Sequence, residues 1–315
     1  MKRVLITTLA LIAIILGALA IVGLVSEPVT PDIPDAYQGQ HLKVSGIDLR
    51  VQQLGKGQDV MLIHGLPGSI ESWETVTPIL AERYRVTVYD RPGHGFSEYQ
   101  QDLANLEGNL RIASALIDTL DLKNVIVVGH SYGGSMVTAM AARPEENIKG
   151  YVSIAGLVEP GRRSSPVYDF VTIPAIGTGF ARIGNQTIGH YMMKQGLIRA
   201  FDPNPLPEHF MERRDDFWLL LKSTLATAHE VSDMRADVAA LSYQELAMPF
   251  YLLHGRQDAS VPVENALAVK ESNPEARLNI FDNTGHMLQF IHPEAVVAAV
   301  DRVAAQLADP DLPTP

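Results

Sequence analysis

The amino-acid sequence predicts an α/β fold with a doubly wound, mostly parallel sheet. Short runs of apolar and β-branched residues recur along the chain, and segments with helical periodicity lie between them. Continuous apolar runs of this kind are typical of parallel strands that are buried on both faces. Of the 315 residues, 46% are hydrophobic and 19% are charged, an ordinary composition for a globular core. One large α/β domain with an insertion, or two small domains, would account for this length.

The predicted elements follow one another in the order that such a sheet requires. Apolar runs predict strands at 41–51, 59–63, 85–89, 125–128, 151–154, 250–253 and 277–281. Apolar periodicity predicts helices over 106–120 and 293–307. Because strands and helices alternate, we expect the helices to cover both faces of one sheet.

The alternation stops between residues 158 and 246. This stretch has five prolines between 166 and 207, then a helical pattern over 208–241, and no clear strand. The strand pattern resumes at Met248, so an inserted helical cap is more economical than a separate domain. We therefore predict a core in two parts, 41–157 and 247–307, with a cap at 158–246 between them.

The N-terminal segment 1–26 predicts a membrane anchor or a signal helix. Lys2 and Arg3 precede 22 residues without a charge. As a helix these would be about 33 Å long, close to the ~30 Å hydrocarbon layer of a bilayer. A signal peptide cleaved after Ala20 is the alternative, although the run is longer than the usual apolar core of such a signal. In both cases the two cations favour a cytoplasmic N terminus, with the following domain exported to the periplasm or the exterior.

The segments 27–40 and 308–315 do not fit a packed core. Each contains three prolines together with acidic residues. We predict a stiff polar linker for the first and a flexible tail for the second.

Charge and cysteine content exclude several classes of function. The formal net charge is −11 and no cluster of basic residues is present, which argues against a nucleic-acid partner. The absence of cysteine excludes disulfides, thiolate metal sites, a cysteine nucleophile and a lipid-modified cysteine. No histidine and carboxylate residues have zinc-site spacing and no phosphate-binding loop occurs, so we expect neither a metal nor a cofactor.

The sequence Gly-His-Ser-Tyr-Gly at 129–133 follows the predicted strand 125–128 directly. A nucleophile on a sharp turn between strand and helix needs small neighbours, because the backbone is strained and the two elements pack closely. Gly129 and Gly133 meet this need, and a segment of small residues follows. We therefore predict that Ser131 is a nucleophile; the alternative is a serine in an ordinary surface turn.

A glycine-containing loop, His-Gly-Leu-Pro-Gly at 64–68, follows the strand 59–63. An oxyanion that develops during acyl transfer needs two fixed N–H donors. We assign these to the backbone N–H groups of Leu66 and Tyr132, the second of which follows the nucleophile. An ordinary tight turn at 64–68 is the alternative.

Asp258 and His286 complete a candidate catalytic triad. Each lies just beyond the end of a predicted strand, where open α/β sheets place their sites. Histidine titrates near neutrality and can accept the serine proton, and a carboxylate fixes its tautomer. Asp282 and Glu159 are rival acids, of which Asp282 is better explained as a turn residue. The histidines expected to be structural are His94, His130 and His254.

The motifs together resemble those of the α/β-hydrolase fold superfamily over about residues 41–307. They are the segments 64–68, 129–134, 255–258 and 285–286, and Asp-Arg-Pro-Gly-His-Gly-Phe-Ser at 90–97. The resemblance implies the α/β-hydrolase sheet, and the cap insertion of that family falls where the strand pattern is interrupted here. It is specific for the fold and weakly specific for the substrate.

Local sequence motifs restrict the class of reaction that we expect at this site. His286-Met287 and Ile-His-Pro-Glu at 291–294 resemble the epoxide hydrolase and haloalkane dehalogenase branch, whose members use an aspartate nucleophile. Serine stands at that position here, which indicates acyl transfer. The loop at 64–68 also lacks the His-Gly-Gly-Gly form of one lipase and esterase group.

Two groups of cap residues have alternative interpretations. The apolar residues Met192, Met193, Phe210, Met211, Phe217, Trp218 and Leu219 to Leu221 form either a helix core or the lining of an acyl pocket. The two arginine pairs, Arg162-Arg163 and Arg213-Arg214, are expected on a solvated face, with binding of an anionic substrate group as the lesser option.

The sequence therefore predicts a membrane-anchored or exported serine hydrolase that acts on a small-molecule ester or another acyl substrate. A carbon–carbon bond hydrolase and a cofactor-free perhydrolase or haloperoxidase would use the same triad. A binding protein on a hydrolase scaffold is the non-enzymatic alternative, although such proteins usually lose a triad residue.

Overall fold

In the part of the chain that the structure describes, the sheet has eight strands in the order β1-β2-β4-β3-β5-β6-β7-β8. The computed structural model describes residues 2–35, 37–160, 165–208, 210–212 and 214–309. The strands are β1 (Gln40–Val44), β2 (Ile47–Leu54), β3 (Gln58–Ile63), β4 (Tyr84–Tyr89), β5 (Val125–His130), β6 (Ile148–Ile154), β7 (Phe250–Gly255) and β8 (Arg277–Phe281). Strands β3 to β8 pair in parallel, and β1 and β2 pair antiparallel at one edge. The predicted doubly wound, mostly parallel sheet is confirmed.

The first predicted strand, 41–51, is wrong in one respect, because it is a hairpin of two strands. Val44 pairs with Ile47 across the turn, where Ser45 has φ 49° and Gly46 has φ 89°. Positive φ at both central residues is the geometry of the tight hairpin turn that matches strand twist. The β-like pattern of the flanking residues concealed this turn.

Side chains of the central strands are buried on both faces of the sheet. In β3, Met61 and Ile63 pack into one apolar cluster, whereas Val60 and Leu62 pack into another on the opposite face. The alternation follows from the two-residue period of a strand. This explains why the strand segments are continuous apolar runs.

Helices cover the two faces of the sheet. The core helices are α2 (Thr77–Leu80), α3 (Leu106–Thr119), α4 (Tyr132–Ala142), α10 (Glu264–Ser272), α11 (Leu288–Ile291) and α12 (Pro293–Ala308). Residues of α3, α4 and α10 pack in the first cluster, and residues of α12 pack in the second. The predicted helices 106–120 and 293–307 correspond to α3 and α12.

Among the described residues, five helices lie between β6 and β7 and form the cap. They are α5 (Pro166–Val171), α6 (Ile176–Gly184), α7 (His190–Phe201), α8 (Asp215–Trp218) and α9 (Leu221–Ala239), and a π-helical turn (Asn185–Gly189) joins α6 to α7. The continuous helix predicted over 208–241 is wrong, because helical structure begins at Asp215 and is interrupted before Leu221. Prolines at 203, 205 and 207 separate α7 from α8.

Arg214 does not lie on the solvated face expected for the arginine pairs. Its side chain is buried and donates to the carbonyl oxygen of Glu71 at 2.8 Å and to Oε1 of Glu74 at 2.7 Å. These bonds attach the cap to the core. The other three arginines, Arg162, Arg163 and Arg213, lie outside the described residues, as do residues 310–315 of the predicted tail.

The N-terminal helix α1 (Lys2–Leu24) packs against α6 of the cap. A Cβ atom placed on Gly23 would lie 1.8 Å from the carbonyl oxygen of Ala175, and one on Gly179 would lie 2.0 Å from that of Leu19. The two backbones therefore approach so closely that only glycine fits at these positions. Most of the remaining surface of α1 is exposed, and its length and apolar composition are sufficient to cross a membrane.

The segment that follows α1 contacts both the core and the cap. The ring of Tyr37 lies 5.2 Å from that of Phe96 and 5.3 Å from that of Phe217, between centroids. Ile33 packs in the same aromatic cluster. The segment is therefore attached to the domain through apolar side chains.

Candidate active site

Ser131 lies on a sharp turn between β5 and α4. Its backbone has φ 56° and ψ −117°, a conformation that L-residues rarely adopt. Its N–H donates to the carbonyl oxygen of Ile154 at 2.8 Å, which fixes the turn to the neighbouring strand. A Cβ on Gly129 would lie 2.0 Å from the Gly133 oxygen, and one on Gly133 would lie 2.2 Å from the Ile63 oxygen. The two glycines are thus required by the packing of this turn, as the motif predicts.

The imidazole of His286 is hydrogen-bonded to Asp258. The Nδ1 of His286 lies 2.7 Å from Oδ2 of Asp258, and both side chains are buried. The other carboxylate oxygen, Oδ1, accepts from the N–H groups of Ser260 and Val261 at 2.8 and 2.9 Å. The carboxylate is therefore held in place and holds the ring with a proton on Nδ1, which leaves Nε2 as an acceptor.

Asp258 is ionised despite its burial. Burial alone would raise the pKa of Asp258, but the charge of His286 and the hydrogen bonds from His254, His286 and Val261 outweigh burial and lower that pKa below its usual value. A permanent negative charge beside His286 stabilises the imidazolium that forms when the ring accepts a proton.

The rival acids lie elsewhere and make other contacts. Asp282 pairs with Arg256 on the surface, and both side chains are more than half exposed. The carboxylate of Glu159 accepts from the hydroxyl of Tyr243. Among the acids weighed from the sequence, Asp258 is the one in contact with His286.

Ser131 and His286 line the same cavity, whose volume is about 650 Å³. His130, the residue before Ser131, binds the backbone of His286: its Nε2–H donates to the carbonyl oxygen of His286 at 2.8 Å. Burial, and then the nearby His286, lower the pKa of His130 to about 3, so its ring is neutral at physiological pH. This neutral ring fixes the loop of His286 beside the turn of Ser131.

The two predicted oxyanion donors lie at the same cavity. Leu66 and Tyr132 both line it, and Tyr132 is the first residue of α4, so its N–H has no intrahelical partner. The carbonyl oxygen of Gly65 accepts from Nη2 of Arg91 at 3.0 Å and from Nδ1 of His64 at 2.9 Å. Because a trans peptide directs its N–H away from its carbonyl, these bonds orient the Leu66 N–H away from Arg91.

Arg91 is the centre of a buried polar network that reaches the cap. Its Nη1 lies 2.5 Å from Oε1 of Glu230 on α9 and 2.8 Å from Oδ1 of Asn109. Its guanidinium carbon also lies 4.6 Å from the ring centroid of Tyr132. His94, which the sequence analysis expects to be structural, lies in this network 2.8 Å from Glu230.

The electrostatics of this network keep Glu230 charged. Burial alone would raise the pKa of Glu230, but Arg91 and His94 outweigh it and lower the pKa to about 2. The pKa of His64 lies well below its usual value, mainly because of burial and then because of the charge of Arg91. His64 is therefore neutral, and its Nε2 accepts a hydrogen bond from the backbone N–H of Arg91 at 2.9 Å.

The cap residues weighed from the sequence divide between the two interpretations. Met192, Met193, Trp218 and Leu219 line the cavity. Buried apolar clusters of the cap include or contact Met193, Phe210, Met211, Phe217, Trp218, Leu220 and Leu221, so Met193 and Trp218 fit both interpretations. Of the described residues that line the cavity, Arg199 is the one with a permanent charge. The cavity is thus largely apolar on the side of the cap.

Gln289 was not anticipated from the sequence. Its side chain is fully buried, it lines the cavity, and neither its Nε2 nor its Oε1 has a hydrogen-bond partner among the described residues. A buried amide without a partner is costly unless a ligand satisfies it. The proximity of position 289 to His286 in the sequence is the signal that could have identified it.

The described part of the chain contains no group of three histidine or carboxylate side chains that could hold a metal ion.

The parallel sheet, the cap inserted between β6 and β7 and the serine at a strand-to-helix turn define the architecture of an α/β hydrolase. A family model described as alpha/beta hydrolase fold matches residues 60–293. The chain belongs to this family, as the motifs predict.

Comparison with known proteins gives relatives of differing activity. The chain is 25% identical over 284 residues to the 2-hydroxymuconate semialdehyde hydrolase of Pseudomonas sp. (strain CF600), covering 85% of this chain and 94% of that protein. It is 24% identical over 271 residues to the pimeloyl-acyl-carrier-protein methyl ester esterase of Nitrosomonas europaea, covering 80% and 98%. The solved structure of the epoxide hydrolase CorEH has a TM-score of 0.73 at 18% identity, covers 86% of this chain and 99% of that chain, and shows the fold alone.

Proposed function

We propose that the protein is a serine hydrolase that cleaves a carboxylic ester through an acyl-enzyme. The observation that supports this most directly is the 2.7 Å contact between His286 and Asp258 at the wall of the cavity that Ser131 also lines. The strained turn of Ser131 is a second support, because its conformation exposes a side chain at the end of a strand. The names of the relatives support hydrolysis, though of more than one bond type.

In the first half of the proposed reaction, Ser131 Oγ attacks the ester carbonyl carbon. His286 Nε2 accepts the hydroxyl proton, and Asp258 stabilises the resulting imidazolium. The carbonyl oxygen becomes an oxyanion that accepts hydrogen bonds from the N–H groups of Leu66 and Tyr132. His286 then donates its proton to the leaving alcohol as the carbon–oxygen bond breaks.

In the second half, a water molecule attacks the acyl-enzyme. His286 accepts a proton from this water, and the tetrahedral intermediate collapses with return of that proton to Ser131. The products are the carboxylic acid and the free enzyme. Every step uses the same two donors and the same base, so the reaction needs no further co-reactant than water.

The test of this proposal is hydrolysis of p-nitrophenyl acetate by the full chain and by Ser131→Ala. We expect kcat to fall by about 10⁴-fold or more, since removal of a triad nucleophile removes covalent catalysis. Labelling of Ser131 by a fluorophosphonate probe should disappear in the same variant. Full esterase activity in Ser131→Ala would disprove the assignment, and folded protein that neither reacts with the probe nor turns over would favour a binding protein.

Hydrolysis of a carbon–carbon bond is the second candidate. It is favoured by the similarity to 2-hydroxymuconate semialdehyde hydrolase, and the candidate triad would serve both reactions. Arg199 at the cavity offers a cation for a substrate carboxylate. Comparison of kcat/KM for a p-nitrophenyl ester and for a ring-fission β-diketone separates ester hydrolysis from carbon–carbon bond hydrolysis. A preference for the diketone of more than about tenfold, equivalent to about 1.4 kcal/mol, would favour the second candidate.

We also propose that α1 is an uncleaved membrane anchor and that the catalytic domain lies on the exported side. The helix is long and apolar enough to cross a bilayer, and two cations precede it. Its contact with α6 supports retention, because a cleaved helix would leave Ala175 and Gly179 without their partner. Carbonate-resistant sedimentation of the full chain with membranes, and digestion by external protease in spheroplasts, test the anchor and the sidedness.

A further inference from the structure

We propose that the outer face of α5, the π-helical turn and α6–α7 is embedded in the lipid bilayer beside α1, and that the substrate enters the cavity from the membrane. The substrate class would then be an acyl ester that dissolves in lipid. This inference rests on the proposed anchor and on the proposed ester hydrolysis.

Exposed apolar side chains are concentrated in the segment 167–198 of the cap. Beyond residue 41, ten large hydrophobic side chains of the described residues are exposed, and nine of them lie between 167 and 198. They are Val167, Tyr168, Ile173, Phe180, Ile183, Ile188, Tyr191, Met192 and Ile198. The tenth, Leu267, lies on α10 of the core. Such a concentration of exposed apolar side chains in one segment indicates an interaction surface rather than singly scattered residues.

The contact between α1 and α6 identifies the lipid bilayer as what covers this face. Gly23 lies against Ala175, and Leu19 lies against Gly179, so the two helices run antiparallel over the last turns of α1. Leu19 is five residues before the end of α1 at Leu24, which corresponds to a depth of about 8 Å. An anchor that spans the bilayer therefore brings the part of α6 that contacts Leu19 to this depth in the membrane.

The charge of this segment of the cap also favours the lipid bilayer as the covering surface. The segment 165–201 contains the basic residues Arg182, Lys194 and Arg199 and one acidic residue, Asp169, in a chain with a net charge of −11. The three basic side chains are exposed. A segment that exposes apolar side chains together with basic residues is complementary to anionic phospholipids, which repel the rest of this acidic chain.

The cavity opens on this apolar face. Tyr168 and Met192 both line the cavity and are exposed, by 36% and 58%. Their neighbours Ile188 and Tyr191 belong to the outer face and do not line the cavity. Because the same short stretch of chain forms the outer face and the cavity wall, the entrance would face the bilayer. A substrate that partitions into lipid reaches such an entrance without crossing water.

The first experiment locates the face with fluorescent labels. The chain has no cysteine, so Ile188→Cys, Tyr191→Cys and the control Leu267→Cys each give one labelling site in the full chain. The labelled proteins are reconstituted in vesicles of equal parts phosphatidylcholine and phosphatidylglycerol. We expect lipids with a doxyl group on the acyl chain to quench the labels at 188 and 191, and aqueous iodide to quench the label at 267.

Two results of this experiment would overturn the proposal. Iodide quenching at 188 and 191 equal to that at 267 would place the face in water. Labels protected from iodide but not quenched by doxyl lipid would indicate a covering protein surface, such as a second copy of the chain. Flotation of the same samples with the vesicles checks the anchor, so failure of α1 to insert is detected separately.

The second experiment tests entry from the membrane by kinetics. Ile183→Ser/Ile188→Ser is compared with Leu267→Ser, using a water-soluble p-nitrophenyl acetate and a long-chain p-nitrophenyl ester dissolved in the vesicles. We expect kcat/KM for the long-chain ester to fall by about tenfold in the double variant, because two apolar side chains leave the lipid, with acetate hydrolysis unchanged. An unchanged rate with the long-chain ester would contradict entry through this face.

Absence of activity on both esters in the unaltered protein would instead contradict the proposed ester hydrolysis. The fluorescent labels would still report whether the segment contacts the membrane.

Discussion

Glu230 of the cap and Arg91 of the core form an ion pair in which neither side chain is exposed, with Oε1 and Nη1 2.5 Å apart. The same guanidinium donates to the carbonyl oxygen of Gly65, whose peptide group carries the N–H of Leu66. The cap is therefore connected to a candidate oxyanion donor through two successive polar contacts. A change in the position of α9 would be transmitted to that donor.

Replacement of Glu230 by glutamine should destabilise the protein by about 3–5 kcal/mol, because it leaves the buried Arg91 without its counter-charge. Urea unfolding of Glu230→Gln measures this. Asp233→Asn is the matched control, since Asp233 is an exposed carboxylate on the same helix, and its change should stay within about 0.5 kcal/mol. Equal unfolding free energies for both variants would show that the pair does not stabilise the fold.

The same pair predicts how stability depends on pH. The pKa of Glu230 is lowered from 4.5 to about 2 in the folded protein, so folding favours its ionised form. The stabilisation is complete above the unfolded pKa and is lost as the pH falls from about 4.5 to 2, by roughly 3 kcal/mol in total. Unfolding measured at a series of pH values should show a smaller decrease over this range in Glu230→Gln. A decrease of equal size in the variant would assign the acid sensitivity to other groups.

Asp258→Asn should reduce kcat for an ester by about 10⁴-fold while leaving the fold intact, because an amide does not hold the imidazole in the required tautomer. Asp282→Asn is the control, since Asp282 contacts Arg256 at the surface. Its kcat should be unchanged. Loss of activity in Asp282→Asn with retention in Asp258→Asn would reverse the assignment of the acid.

Gln289→Leu should increase stability or leave it unchanged, because it removes two buried polar atoms that have no partner, a cost of about 1–3 kcal/mol. If the amide contacts the substrate, KM for an ester with a polar group near the carbonyl should rise, whereas KM for a purely aliphatic ester should not. Thermal unfolding and steady-state kinetics with the two esters measure this. A loss of stability without any change in KM would indicate a structural role for the amide.

Those parts of the site that depend on local sequence were predictable. Ser131, Asp258 and His286 each follow a strand, and the parallel arrangement of strands brings such positions to one edge of the sheet. Gly129 and Gly133 indicated the tight turn because only glycine permits that approach of backbones.

Contacts between distant segments were not predictable from one sequence. Arg91 and Glu230 are 139 positions apart, and the sequence around each residue does not indicate which residue it pairs with. Arg214 resembles a surface residue because acidic residues surround it in the sequence, but it lies directly before α8 and its side chain donates to the carbonyl oxygen of Glu71. The two-residue turn at Ser45 and Gly46 was missed because the strands on both sides share a continuous pattern.

Tyr37 has a practical consequence for preparing the enzyme. Its ring contacts Phe96 on the core and Phe217 on the cap, so the segment that follows α1 helps to hold these two parts together. A shortened version that starts at residue 41 would lack Tyr37 and its contacts with Phe96 and Phe217. Its cap would therefore be held less firmly against the core. Kinetic constants measured on such a version would describe a different molecule, so the full-length protein is the appropriate starting material.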